Sequence, residues 1–216
     1  MSDQQQPTQQ RSLTPIQEVS SMLNRMKGQF QNVLPTHTTP EKFIRIVLTA
    51  LSNNSDLLKC NRQSLYLSCL RAAQDGLLPD GREGAIVPFK NVAQWMPMVG
   101  GLCKKARNSG EILSIDACVV YANDEFDSWV DEKGPHFKHR RARADRGEAI
   151  LTYAYAMLKN GGFAYEEIDE AQMAEIEKMS RASNGPWKGP FRDEMRRKSA
   201  IRRLCKYRLP SSTDLD

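Results

Sequence analysis

The stretch at 149–168 constrains this chain most. AILTYAYAML at 149–158 and FAYEEI at 163–168 are rich in strand formers, and Asn160-Gly161-Gly162 joins them. Glycines behind an asparagine supply the positive φ values that tight hairpin turns require. The pair therefore predicts two antiparallel strands in the middle of the chain. A similar but weaker hairpin is predicted from 126–130 and 136–139, around a turn at 131–134. The β-rich run at 112–121 adds another strand. Upstream, 85–89 and 92–99 read as short strands, with Pro88 and Pro97 favouring edge positions.

Helical patterns flank this region on both sides. Thr14-Pro15-Ile16-Gln17 places a cap, a first-turn proline and a capping-box glutamine in order. Ile16, Val19, Leu23, Met26, Phe30 and Val33 follow at spacings of three and four, a seam that suits either the chain's own core or a neighbouring subunit. Thr39-Pro40-Glu41 opens a second helix with Phe43, Ile44, Val47, Leu48 and Leu51 on one face. A third runs over 61–75 and ends at Gly76. A short basic helix is expected at 102–108, and another from Asp169 through Met179 and Ser180. Helices, antiparallel strands and helices again make an α+β fold. The expected organisation is a Gln-rich polar arm at 1–13 and a single α+β domain at 14–210, with a short tail at 211–216. Within the domain, 14–78 is helical, 79–168 is a β-rich core with one central antiparallel sheet, and 169–209 holds the C-terminal helices that complete a basic groove.

The last helix, FRDEMRRKSAIRRLCK at 191–206, carries the strongest functional signal. On a helical wheel Arg192, Arg196, Arg202, Arg203 and Lys206 share an arc of roughly 120°, and neither Asp193 nor Glu194 enters it. Guanidinium forks match phosphate oxygens, so the stripe suits a phosphate backbone; the alternative is a solvated charged face. Two more basic clusters accompany it. One is Lys104, Lys105 and Arg107; the other is His139, Arg140, Arg141, Arg143 and Arg146. With Trp187 and Lys188 just ahead of the helix and Phe191 at its start, the combination is that of a single-strand binder, in which cations hold phosphates and rings stack on bases. Either ring can instead anchor the helix to the core.

Other chemistries find less support. No GxxxxGK[ST] or GxSxG occurs, and His37, His136 and His139 are too dispersed for a triad or a zinc site. The acidic run Asp116, Asp124, Glu125, Asp127 is the best enzymatic candidate, as a Mg²⁺ site for phosphodiester cleavage. Five cysteines without CxxC spacing and no signal peptide point to reduced thiols in a cytoplasm, and no apolar run is long enough to span a membrane. A net charge of +5 is modest, so the distribution of charge matters more than its sum.

Four segments, CNRQSLYLSCLRAAQDGLLPDG, GGLCKKARNSGEILSIDACVVYANDEF, FKHRRARADRGEAILTYAYAMLKNGG and GPWKGPFRDEMRRKSAIRRLCKYRLP, resemble in order the RecT family of phage single-strand annealing proteins. They cover 60–210. The resemblance implies ATP-independent binding and annealing of single-stranded DNA by ring or helical homo-oligomers with a mixed α/β core. It implies an annealed duplex intermediate, a partner 5′–3′ exonuclease and a host single-strand binding protein. No cofactor is implied, with Mg²⁺ modulatory only. Trp187, Phe191, Met195, Lys198, Arg202 and Arg203 match the family's terminal pattern. Many members carry Gly-Tyr-Lys-Gly before the short basic helix, where this chain has Met98-Val99-Gly100-Gly101, leaving the charge there to Lys104 and Lys105. An acidic partner-binding tail, present in some members, is expected to be short or absent here, with Asp214 and Asp216 as its acids. The leading expectation is single-strand annealing without catalysis, in a bacterial cytoplasm. A Mg²⁺-dependent nuclease and an architectural double-strand binder are the alternatives.

Overall fold

The computed structural model describes residues 13–180 and 185–214 and divides into two compact units, Met1–Met96 and Pro97–Asp216. The Gln-rich arm, apart from residue 13, lies outside the described residues, as do 215–216 of the tail. The division falls inside the stretch read from sequence as one β-rich core.

The first unit is mainly helical, with α1 (Pro15–Arg25), α2 (Lys27–Gln31), α3 (Pro40–Asn53) and α4 (Arg62–Gln74). Gln17 completes the predicted capping box by accepting from the Thr14 amide at 2.8 Å. The expected continuous seam breaks at Met26, between α1 and α2. Val19, Leu23 and Phe30 are fully buried with Phe43, Val47 and Leu51, and the Phe30 and Phe43 rings lie 5.2 Å apart. That face belongs to the unit's own core, which corrects the alternative that it packs on a neighbouring subunit. β1 (Gly84–Phe89) and β2 (Val92–Pro97) form a separate two-stranded sheet. Two connecting residues leave only an antiparallel arrangement. Ser68 and Trp95 fasten this hairpin, donating to the Ala93 carbonyl at 3.0 Å and to Asp75 at 2.8 Å. Position 84 must be glycine, because a Cβ there would lie 2.1 Å from the Trp95 indole.

The second unit is built on a three-stranded antiparallel sheet ordered β3-β6-β7, from β3 (Ile112–Tyr121), β6 (Ala149–Leu158) and β7 (Phe163–Asp169). The predicted 149–168 hairpin is β6–β7. β4 (Glu125–Asp131) and β5 (Gly134–Arg140) pair only with each other. Instead of one central sheet there are three separate ones among the described residues, because alternation marks a strand without saying which hairpins join. Side chains alternate across the three-stranded sheet. Tyr153, Tyr155, Phe163, Tyr165, Cys118 and Val120 meet Phe126 and Phe137 of the β4–β5 ribbon, with Phe137 stacked 5.2 Å from Tyr165. Ala117, Ala154, Ala156, Ala164 and Ile168 occupy the other face, where Met173, Trp187, Ala200 and Leu204 pack. Alanines keep that face low, so helices approach closely. The helices are α6 (Glu170–Lys178), capped by Asp169 accepting from Gln172 at 2.7 Å, and α7 (Arg192–Tyr207). The short basic helix α5 (Val99–Asn108) packs on α7.

Candidate nucleic-acid interface

The orientation of α7 decides which of its cations reach solvent. Arg196, Ala200 and Leu204, one turn apart, are buried. Arg196 is 3% exposed, donates to Glu170 at 2.6 Å, and leaves its Nε without a hydrogen-bond partner among the described residues. Arg192 donates twice to Glu177, at 2.7 and 3.1 Å. Arg203 meets Glu166 at 3.0 Å and Gln172 at 2.8 Å, and Arg208 meets Glu166 at 3.0 Å. The stripe holds no acid of its own helix, yet β7 and α6 bring three acids to it. Much of the predicted stripe is therefore ion-paired within the chain, Arg196 buried, Arg203 half-buried and Arg192 at an exposed position. Alternation offered a signal for this: Glu166 has the parity of Ala164 and Ile168, so it must face the helices.

A neighbouring ridge remains open. Lys198, Arg202 and Lys206, one turn apart, are exposed, and Phe191 is 62% exposed at the start of the helix. These four span an arc of roughly 80°. Arg202 donates to the Pro97 carbonyl at 2.6 Å, which holds its guanidinium in place at the surface. Lys198 has no ion-pair partner among the described residues, and the Lys206 ammonium sits 4.9 Å from the Tyr207 ring centroid. Arg202, Cys205 and Lys206 meet Leu102, Lys105 and Ala106 of α5, with Pro210 and Ser211, around a groove of about 440 Å³. Two of the three basic clusters thus come together. Lys104 is half-buried and Arg107 exposed on α5. Trp187 is 5% exposed and anchors the core, so of the two rings Phe191 is the one free to stack. Lys188 beside it is exposed.

In the third cluster His139 and Arg146 are tied to Asp124, while Arg140, Arg141 and Arg143 are exposed. Asp124, whose side chain is fully buried, accepts from Arg146 Nε at 3.0 Å and from the amides of Ala142 and Tyr121 at 2.9 and 3.0 Å. His139 Nε2 lies 3.0 Å from the same carboxylate, which can only accept, so that nitrogen carries the proton. Its Nδ1 is 3.0 Å from the Tyr153 hydroxyl, and its side chain is 4% exposed, so His139 is withdrawn from any surface partner. Arg146, followed by the other donors, holds the Asp124 carboxyl far below the usual range. Arg141 donates to Cys118 Sγ at 3.0 Å, while Arg140 is exposed and 3.8 Å from Glu125. The acidic run does not converge. Glu125 pairs with Lys138 at 2.6 Å, Asp116 and Asp127 are exposed on different strands, and no three His, Cys, Asp or Glu among the described residues form a metal-binding group. The nuclease alternative loses its geometry.

An α+β unit that ranges lysine, arginine and an aromatic ring along one helix edge, beside a groove lined by Lys105, Arg202 and Lys206, has the make-up of a nucleic-acid-binding protein. Residues 41–216 match the RecT family. The chain is 35% identical over 214 residues to Protein RecT of Escherichia coli strain K12, covering 92% of this chain and 77% of that one. It belongs to the RecT family, and is thereby a DNA-binding, single-strand annealing protein of DNA recombination. The match begins ahead of the 60–210 stretch and takes in α3. Among the described residues no helix is long and apolar enough to cross a membrane.

Proposed function

We propose that this chain holds single-stranded DNA along the Phe191, Lys198, Arg202 and Lys206 edge of α7 and the adjoining groove, and anneals complementary strands without ATP. The observation that carries this reading is the edge itself. In a family of annealing proteins, cations one turn apart remain open to solvent while their neighbours on the same helix are neutralised internally. Binding through phosphates leaves base edges free to sample a second strand. Pairing then supplies the specificity, and duplex stacking of roughly 1–2 kcal/mol per step drives the product without nucleotide hydrolysis. The protein works as a homo-oligomer in a bacterial cytoplasm, with no catalytic residue and no resident metal, beside a 5′–3′ exonuclease and a host single-strand binding protein. Two complementary oligonucleotides, mixed with the protein with and without ATP and Mg²⁺, test this on one gel. Duplex should accumulate faster than spontaneously in every lane. Shortened products would revive cleavage, and a duplex shift without annealing would favour an architectural role.

A further inference from the structure

Beneath the groove lies a pair of thiols that DNA binding does not explain. Cys205 is half-buried on α7 and lines the groove between Arg202 and Lys206; Cys103 is 8% exposed on the facing side of α5. Ala106, one turn beyond Cys103 and buried with it on α5, lines the same groove as Cys205, so Cys103 shares the α5 side that packs on α7. Both cysteines are free thiols. We infer that Cys103 and Cys205 form an oxidisable dithiol, a modification site at which hydrogen peroxide joins α5 to α7 by a reversible disulfide.

The surroundings suit the chemistry. The Cys205 S–H donates to the Cys103 sulfur and, against the effect of burial and aided by the Arg107 charge, brings the Cys103 thiol down to about 7. Near neutral pH a large share is therefore thiolate, the form that attacks peroxide. The same hydrogen bond, with burial, pushes the Cys205 thiol up, so Cys205 acts second. The Cys103 thiolate attacks one peroxide oxygen, the O–O bond breaks, and hydroxide leaves and takes up a proton as water. Cys205 sulfur then attacks the resulting sulfenic acid; its proton and the sulfenic oxygen depart as a second water. Two thiols and one hydrogen peroxide thus give one disulfide and two waters. Two other thiols are poorer candidates: Cys69 is fully buried and pushed up to about 12, and burial also pushes the Cys60 thiol up.

The test treats the full chain with stoichiometric hydrogen peroxide, blocks remaining thiols, digests without reductant and maps the peptides by mass. The expected product is a peptide pair joining Cys103 to Cys205, lighter by two hydrogens and separated by dithiothreitol. Cys205→Ser should abolish it. Oxidation should raise the melting temperature of the unsubstituted chain by several degrees and leave that of Cys205→Ser unmoved, since a crosslink closing a long loop restricts the unfolded chain. Recovery of both cysteines as blocked thiols, as sulfinates, or joined only to other chains would overturn the assignment. The readout contains no DNA, so it stands or falls separately from the annealing reading.

Discussion

At the scale of single residues, two charged groups read from sequence as binders or ligands are structural. Asp124 has no exposed side-chain surface and gathers four donors from three segments. Asp124→Asn keeps an oxygen but removes the charge and turns an amide toward Arg146, so we expect a loss of roughly 2–4 kcal/mol, read by thermal melts. The pH dependence has a definite sign. The folded carboxyl is held below its unfolded value, so its contribution is complete above about pH 5 and declines as pH falls toward the folded value. Melts at about pH 3 and 7 should differ less in Asp124→Asn than in the parent chain. Arg196 is the second case, 3% exposed, with an unpartnered Nε and Glu170 as its hydrogen-bond partner among the described residues. Arg196→Ala should lower the melting temperature and leave the salt dependence of DNA binding unchanged. A changed salt slope would return Arg196 to the interface. Sequence could show that both residues were charged, but not that they would be enclosed, because enclosure depends on which strands and helices meet.

At the scale of elements, the hairpins were the most legible part. Asn160-Gly161-Gly162 lies between β6 and β7 as expected, with Gly161 at φ 85°, and the weaker β4–β5 hairpin also forms. The helix wheel of α7 was legible too; its rotation against the sheet was not. The basic residues within one arc look equivalent until Ala200 and Leu204 turn Arg196 inward and bring Arg203 against Glu166. The structure therefore divides the cations that sequence grouped together. Lys198→Ala with Arg202→Ala should weaken single-strand binding and flatten the salt slope by roughly 0.7 for each phosphate no longer neutralised. Their exposure predicts stability changes within about ±0.5 kcal/mol. Arg203→Ala should do the reverse, lowering the melting temperature first, since it leaves Glu166, whose side chain is 10% exposed, with one cation fewer. Affinity and melting temperature measured on both variants decide it. If Arg203→Ala weakens DNA binding more than the double substitution, the open ridge is the wrong edge.

At the scale of the whole molecule, each unit carries its own core, which changes what truncation should do. Removing residues 1–34 takes Val19, Leu23 and Phe30 from the first unit's core, so that unit should lose its cooperative melt; a folded truncated chain would show those side chains dispensable. For DNA, the net charge of +5 is too small to bind a polyanion by itself, so affinity must come from where charges remain open. If Lys198, Arg202 and Lys206 each neutralise one phosphate, log K against log salt should fall with a slope of about −2 per subunit. The double substitution on the ridge should leave about −0.7. Because Phe191 can stack on any base and cations read only phosphates, affinity should be nearly the same across mixed-sequence oligonucleotides. Fluorescence titrations at several salt concentrations supply both numbers. A slope near zero, or a marked preference among mixed sequences, would mean that bases rather than phosphates are being held. Annealing would then stall, since a base edge held by protein is closed to the complementary strand.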